Sequence, residues 1–387
     1  MTADIKMHVS LVQLYASEVI RNGFPVIKKS LKLLFLCKRR PMGRDLLTRP
    51  YGRFFYLPKL LAERGHDVRI LLLDYRGGEP LDVHAYGIRC ISVPLKFHKP
   101  VLYTESIRRL VAESRPDWLI GLSDTYYGIL AGHYGKRYGV RVSVDAYDNY
   151  ESYISWLKPL HWLWRNTLKS ADLVTAAGPG LLEKMSYGRN NRPSVVVPMA
   201  ADPIGFKPME KEECRLQMGL PAKGKLIGYC GSMHRNRGVE VLFEAVELLQ
   251  NTVPEAVLVV SGRISRDVNL PSSVHSLGYV EDEKMPVLMN SLDCLAVLNR
   301  DSAFGNFSYP VKLYEAMSCR VPVVVTRTRS TEWILGAMPE YLVPPADPQS
   351  LCRALASSLR SGPVDFGAVP DWQSSCDIME QALLEDM

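Results

Sequence analysis

A chain of 387 residues exceeds what one hydrophobic core usually serves, so two domains are expected. Its apolar share of 47% and charged share of 23% are those of a globular protein, and no charge-free apolar run approaches the roughly 20 residues a spanning helix needs, which argues against a transmembrane segment. The net charge of +6 conceals an asymmetry, because residues 1–200 carry 30 Lys and Arg against 17 Asp and Glu while the remainder carries 17 against 24.

The basic front half suits phosphates or an anionic membrane surface, with a plain solvated surface as the alternative. Nucleic acid is not an expected partner, since the charges are spread and no nucleic-acid motif accompanies them. The eight cysteines show no CxxC pair, which favours buried free thiols over disulfides. The eight histidines lack ligand spacing, so no metal site is expected. The first 30 residues lack the order of a secretory signal, which points to a cytoplasmic protein, and Leu11, Leu14, Tyr15 and Val19 at helical spacing suit an added helix.

In chain order, LKLLFLC (31–37) reads as a buried strand, YGRFFYLPKLLAERG as a helix closed by Gly65, and DVRILLLDY as a second buried strand. Strand, helix and strand without alternation predict a parallel sheet. The series continues through IRCISVPL, a helix near ESIRRLVAES, DWLIGLS, a helix over YYGILAGHYGKRYG, VRVSVDAY, a helix over about 152–170 and ADLVTAAG. One doubly wound domain therefore covers 31–200. Residues 201–224, rich in Pro, Gly and Lys, read as an interdomain linker.

A second parallel series, residues 225–365, runs through KLIGYCGS, RGVEVLFEAVELLQNT, EAVLVVSGR, VHSLGYV, KMPVLMNSL, DCLAVLN, PVKLYEAMSC and VPVVVT. The last segment, 366–387, suits a helix that packs back across the first domain.

Open parallel sheets bind ligands beyond the carboxyl ends of their strands. After KLIGYC comes GSMHRNRG, where Gly231 and Ser232 permit close backbone approach and Arg235 and Arg237 offer two cations. Guanidinium groups pair phosphate oxygens bidentately, so a diphosphate suits this turn, although an ordinary strand-to-helix turn has the same look. In SYPVKLYEAMSC, Ser308, Tyr309 and the following proline open a helix whose first amides attract anions, and Lys312 adds charge. Glu315, one turn on, can accept two hydrogen bonds from a vicinal diol such as a ribose, or it can serve as a helix salt bridge.

These segments in this order resemble the retaining GT-B glycosyltransferases of family 4: IGYCGSMHRNRGVEVLFEAVELL, VHSLGYVEDEKMPVLMNSLDCLAVL and PVKLYEAMSCRVPVVVT in the second half, with LLAERGHDVRIL, ADLVTAAGPGLLEKM and VPMAADPIGFKP in the first. The resemblance covers residues 31–365. It implies an α/β GT-B fold, two Rossmann-like domains facing across a cleft. A UDP- or GDP-sugar would be held mainly by the second domain and a glycan or lipid-linked acceptor by the first. No cofactor or metal is implied.

Carried over by position, Arg235 and Arg237 neutralise the leaving diphosphate. The backbone of Gly278, Tyr279 and Val280 holds the base, Val311, Lys312 and Leu313 present amides to phosphate, and Glu315 holds the ribose. Gly52 and Arg53 match the loop that approaches the donor, and Arg49 stands beside it for the acceptor, with plain surface cations as the alternative for both arginines. Asp148 falls where many relatives carry a histidine near the transferred sugar, with a helix cap as its alternative. Asp124 and Thr125 meet the acceptor or cap the next helix.

The sequence departs from the family pattern at three places. Phe307 stands where a first glutamate is usual, Arg320 where glycine is usual, and Pro198-Met199-Ala200 where a Pro-Asn-Gly turn is usual. The missing glutamate keeps two other readings open, a catalytically silent binding subunit and a sugar-nucleotide 2-epimerase. Trp156, Trp162 and Trp164, among Lys158, Arg165 and Lys169, suit either a membrane interface or a packed helix.

Overall fold

The computed structural model describes residues 29–95, 100–202, 204–234 and 237–385. The helix expected near the N-terminus therefore lies outside the described residues. The described residues from Leu31 to Glu385 build two α/β sheets whose carboxyl ends face one another across a cleft.

The first sheet contains β1 (Lys32–Lys38), β2 (Asp67–Asp74), β3 (Leu81–Ala85), β4 (Ile88–Pro94), β5 (Trp118–Gly121), β6 (Arg141–Ala146), β7 (Leu173–Ala176) and β8 (Ser194–Val196), in the order β3-β4-β2-β1-β5-β6-β7-β8. The apolar run of β1 is buried because β2 and β5 flank it in parallel register and helices cover both faces. One strand escaped the sequence reading. Strand β3 pairs antiparallel to β4 through a tight hairpin at Tyr86 and Gly87, both at positive φ (56° and 75°). Its mostly exposed LDVHA segment carries no core pattern, so the sheet is mixed rather than wholly parallel.

The second sheet is entirely parallel, with β9 (Lys225–Cys230), β10 (Ala256–Ser261), β11 (His275–Ser276), β12 (Cys294–Val297), β13 (Val323–Thr326) and β14 (Leu342–Val343) in the order β11-β10-β9-β12-β13-β14. In each sheet the connection order reverses beside the central strand, at β1/β5 and at β9/β12. Such reversals leave a crevice at the carboxyl edge, and the two crevices oppose each other.

The stretch 201–224 is more structured than a loose connection. It holds the helix Lys211–Met218, fixed to the second sheet where Lys211 and Arg215 both pair with Asp293 (2.8 and 2.6 Å). The helix Trp372–Glu385 lies against the first sheet. Trp118 Nε1 donates to the Leu383 carbonyl (3.1 Å), Glu380 meets His66 (3.0 Å), and the Trp372 ring stacks on Tyr56.

All eight cysteines are free thiols and seven are buried. Of the three tryptophans near residue 160, Trp164 packs inward while Trp156 and Trp162 face solvent. Among the described residues, no helix is long and apolar enough to cross a membrane.

Candidate active site

A cavity of about 440 Å³ occupies the cleft at the facing carboxyl edges. Arg49 and Asp148 of the first domain line it. From the second come Gly231, Ser232 and Arg237 after β9, Tyr279 and Val280 after β11, and Ser308, Tyr309, Val311 and Lys312 around the start of the helix Val311–Ser318. Arg235 lies outside the described residues.

Close backbone approach shapes this floor. A Cβ on Gly262 would stand 2.2 Å from the Gly231 carbonyl oxygen, so only glycine lets the turns after β9 and β10 lie together. Gly278 supports the same corner, its carbonyl accepting the Gly262 amide at 2.7 Å. Across the cleft, a Cβ on Gly178 would strike the Tyr309 ring at 2.1 Å, while the Tyr309 hydroxyl accepts the Leu181 amide (3.3 Å). The glycine of AAGPG therefore lets the two lobes close.

Glu315 is 1% exposed, and both its carboxylate oxygens are engaged. One accepts from the Tyr51 hydroxyl, the other from Lys312 Nζ at 2.6 Å. Tyr51 and Lys312 both line the cavity, so the carboxylate points at its wall with a hydroxyl already seated on it. Tyr51 belongs to a strap from the first domain that also sends Arg44 and Arg49 to Asp282 (2.8 and 3.1 Å) and lays the Arg44 guanidinium over the Tyr51 ring. Arg49 also donates to the Tyr279 hydroxyl.

Positive charge gathers beside this end. Arg237 is oriented by Asn299 Oδ1 (2.5 Å) and Ser308 Oγ (3.5 Å). Arg263, following β10, lines the cavity and has no ion pair among the described residues. The first amides of the helix Val311–Ser318 have no intrahelical acceptor. Lys312, with three donors, can serve an anion while holding Glu315.

Asp148 faces these cations. Burial pushes its carboxyl up to about 7, against the opposing pull of the Tyr153 hydroxyl, which donates at 2.7 Å, and of Arg237. It caps no helix: the short helical turn that follows starts at Tyr150, with Asn149 ahead of it.

A chemical role for the Asp148 carboxylate predicts a rate that rises with pH through about 7, and Asp148→Asn should remove that limb. Stability should move the other way. The folded state holds this proton from about pH 4 to 7 while the unfolded chain has released it, so wild-type stability falls over that window and is level above it. Asp148→Asn should accordingly gain more in melting temperature at pH 8 than at pH 4.5, by a few degrees. An equal gain at both pH values contradicts the assignment.

Three expectations are corrected, and for Asp124 and Thr125 the helix-cap alternative holds. Arg53 does not face the donor. It is 2% exposed, its guanidinium grips Asp145 through two bonds (2.8 and 2.6 Å), and it donates to the carbonyls of Val197 and Pro198. Removing one partner of such a pair costs about 3–5 kcal/mol, which makes it a structural tie. Gly52 only begins the helix Arg53–Glu63, at φ 74°. The Leu313 amide is taken by the Pro310 carbonyl (3.1 Å), leaving Val311 and Lys312 as the amide donors. Asp124 and Thr125 stand off the cavity, the Asp124 carboxylate accepting the Thr125 amide (2.8 Å) as a helix cap.

Sequence reasoning missed Tyr51, Arg44, Tyr153 and Arg263. Arg263 alone carried a signal, in the strand-glycine-cation run VVSGR.

Comparison with known proteins agrees with this geometry. Residues 56–200 match the Glycosyl transferase 4-like domain, and residues 224–361 match Glycosyl transferases group 1. A putative teichuronic acid biosynthesis glycosyltransferase from Bacillus subtilis (strain 168) is 26% identical over 194 residues, 50% of this chain and 48% of that protein. The chain thus spans about half the length of that relative.

Among solved structures, sucrose-phosphate synthase from Thermosynechococcus elongatus superposes with a TM-score of 0.69 at 16% identity, over 90% of this chain and 98% of that one. Anabaena HepE in complex with UDP gives 0.66 at 15%, over 91% and 95%. These likenesses establish the two-domain GT-B fold. With both family matches falling on the two halves of that fold, the chain belongs to the group 1 glycosyltransferases, its group 1 domain preceded by a 4-like domain.

Proposed function

We propose that the protein transfers a sugar from a UDP- or GDP-linked donor to a glycan or lipid-linked acceptor, with retention of configuration and without a metal, in envelope polysaccharide or glycolipid assembly at the inner face of the plasma membrane. One observation carries the reading: cations and helix amides converge on a cleft cavity, and directly behind two of its lining residues, Tyr51 and Lys312, lies the buried Glu315 carboxylate that already holds the Tyr51 hydroxyl. The diphosphate lies against Arg237, Arg263, Lys312 and the amides of Val311 and Lys312. Glu315 takes the ribose diol in place of the Tyr51 hydroxyl, and Tyr279 with Val280 flanks the base. The teichuronic acid relative and the UDP-bound HepE fold support this choice of substrates.

The anomeric C–O bond to the diphosphate breaks as the acceptor oxygen bonds the same face, and the acceptor proton passes to a leaving phosphate oxygen. Electrostatic stabilisation of the leaving group lowers the barrier most, by a few kcal/mol per well-aimed donor.

Incubation of UDP-glucose and GDP-mannose with the protein and no acceptor tests the reading. Slow release of one nucleotide, unchanged by EDTA and without a new sugar epimer, is the expected result. Donor binding with no nucleotide release would mark a silent binding subunit, and interconversion of the sugar without transfer an epimerase.

A further inference from the structure

A second cavity, of about 650 Å³, shares Asp148 with the first, the residue lining both. The helices Lys158–Ser170 and Pro179–Ser186 form its walls, and Phe307 and Arg329 of the second domain close one end.

Three observations mark it as a place for a ligand. Tyr150 lines it at 3% exposure, and its hydroxyl has no hydrogen-bond partner among the described residues. An unsatisfied buried polar group costs about 1–3 kcal/mol, which a bound polar molecule recovers. Cations also outnumber carboxylates on the walls. Glu151 holds both Arg165 (2.6 Å) and Lys184 (3.2 Å), Glu183 holds Arg329, and Lys169 has no ion pair among the described residues. Lastly, Trp162 and Tyr187 stand at the rim with 65% and 83% exposure, offering flat apolar faces with no protein cover.

A polar wall with surplus positive charge and aromatic faces fits a sugar ring that carries an anionic group. Neutral apolar ligands would leave Tyr150 and Lys169 unmatched. The residues expected from sequence to meet the acceptor are otherwise committed, Asp124 and Thr125 to a helix cap and Arg49 to Tyr279 and Asp282.

We propose that this second cavity is the acceptor site and that the acceptor is an anionic saccharide, a uronate or a sugar phosphate. The inference rests on the transferase reading. Donor and acceptor then meet at Asp148, the residue that both cavities share, where the acceptor hydroxyl is brought to the anomeric carbon. The new glycosidic C–O bond forms there as the C–O bond to the diphosphate breaks, with its electron pair leaving on the diphosphate and the hydroxyl proton following. No further reactant is required.

Saturation-transfer NMR with trigalacturonate, glucose 6-phosphate and neutral maltotriose, in the presence of UDP or GDP, tests the site. At least one anionic probe should bind wild type at least ~10-fold more tightly than maltotriose. That binding should fall by at least ~10-fold in both Trp162→Ala and Lys169→Glu, exposed positions whose replacement spares the fold, while nucleotide affinity stays unchanged. The probe that binds separates a uronate from a phosphate acceptor. Equal binding of anionic and neutral probes, no binding of either anionic probe, or full retention in both variants overturns the proposal. Failure of wild type to bind either nucleotide would instead overturn the transferase reading beneath it.

Discussion

Glu315→Ala is expected to weaken nucleoside diphosphate binding by about 10²-fold. Hydrogen bonds from a ribose diol to a carboxylate contribute about 1.5–3 kcal/mol each. The full pair is not gained, because the Tyr51 hydroxyl already sits on this carboxylate and must be displaced. A net gain near 3 kcal/mol, about two powers of ten, remains. The alanine variant also leaves Lys312 without its buried partner, so Glu315→Gln, which keeps the shape but loses the charge and one of the two acceptor oxygens, serves as the companion. Calorimetric titration beside thermal unfolding separates affinity from folding. A variant that folds and binds within threefold of wild type would remove Glu315 from the site.

Arg237→Ala should act on turnover rather than on ground-state binding, lowering kcat by about 10²–10³-fold. Negative charge on the diphosphate grows as the anomeric bond breaks, and a positioned cation matters most at that point. Asn299 and Ser308 hold the guanidinium before substrate arrives, so little reorganisation is needed. Arg237→Lys should recover only part of the rate, since an ammonium cannot reproduce the fork that pairs two oxygens. Single-turnover rates at saturating donor measure the effect. An unchanged kcat with raised KM would reassign Arg237 to plain binding.

Much of the fold was legible because parallel strands covered on both faces read as unbroken apolar runs, as in LKLLFLC and VPVVVT. Strand β3 was not, since an exposed edge strand carries no such run. The helix Lys211–Met218 hid in a stretch rich in Pro, Gly and Lys, and it owes its place to Asp293, some 80 residues on.

In the site, SYPVKLYE was legible because helix start, cation and carboxylate lie within one turn of one another. Arg53 was misread because its partner, Asp145, comes from a different strand. Tyr51 on Glu315 joins the two domains, and no local pattern announces such a contact. Arg320, where glycine is usual, keeps the backbone that glycine would adopt, at φ 58°. That departure therefore leaves the local turn in place. The acid-free run SYISWLKPLHWLWRNTLKS foretold a helix, but only its packing shows that Trp164 turns inward and Trp162 towards the second cavity.

Whether Glu315 clasps a ribose in the cleft is decided by a two-by-two titration. Wild type and Glu315→Gln are each titrated with the nucleoside diphosphate and with its 2′,3′-dideoxy analogue. Wild type is expected to discriminate against the dideoxy compound by about 10-fold or more, and Glu315→Gln to nearly abolish the difference. Equal affinity of wild type for both nucleotides, or the same discrimination in the variant, would contradict a ribose held by this carboxylate.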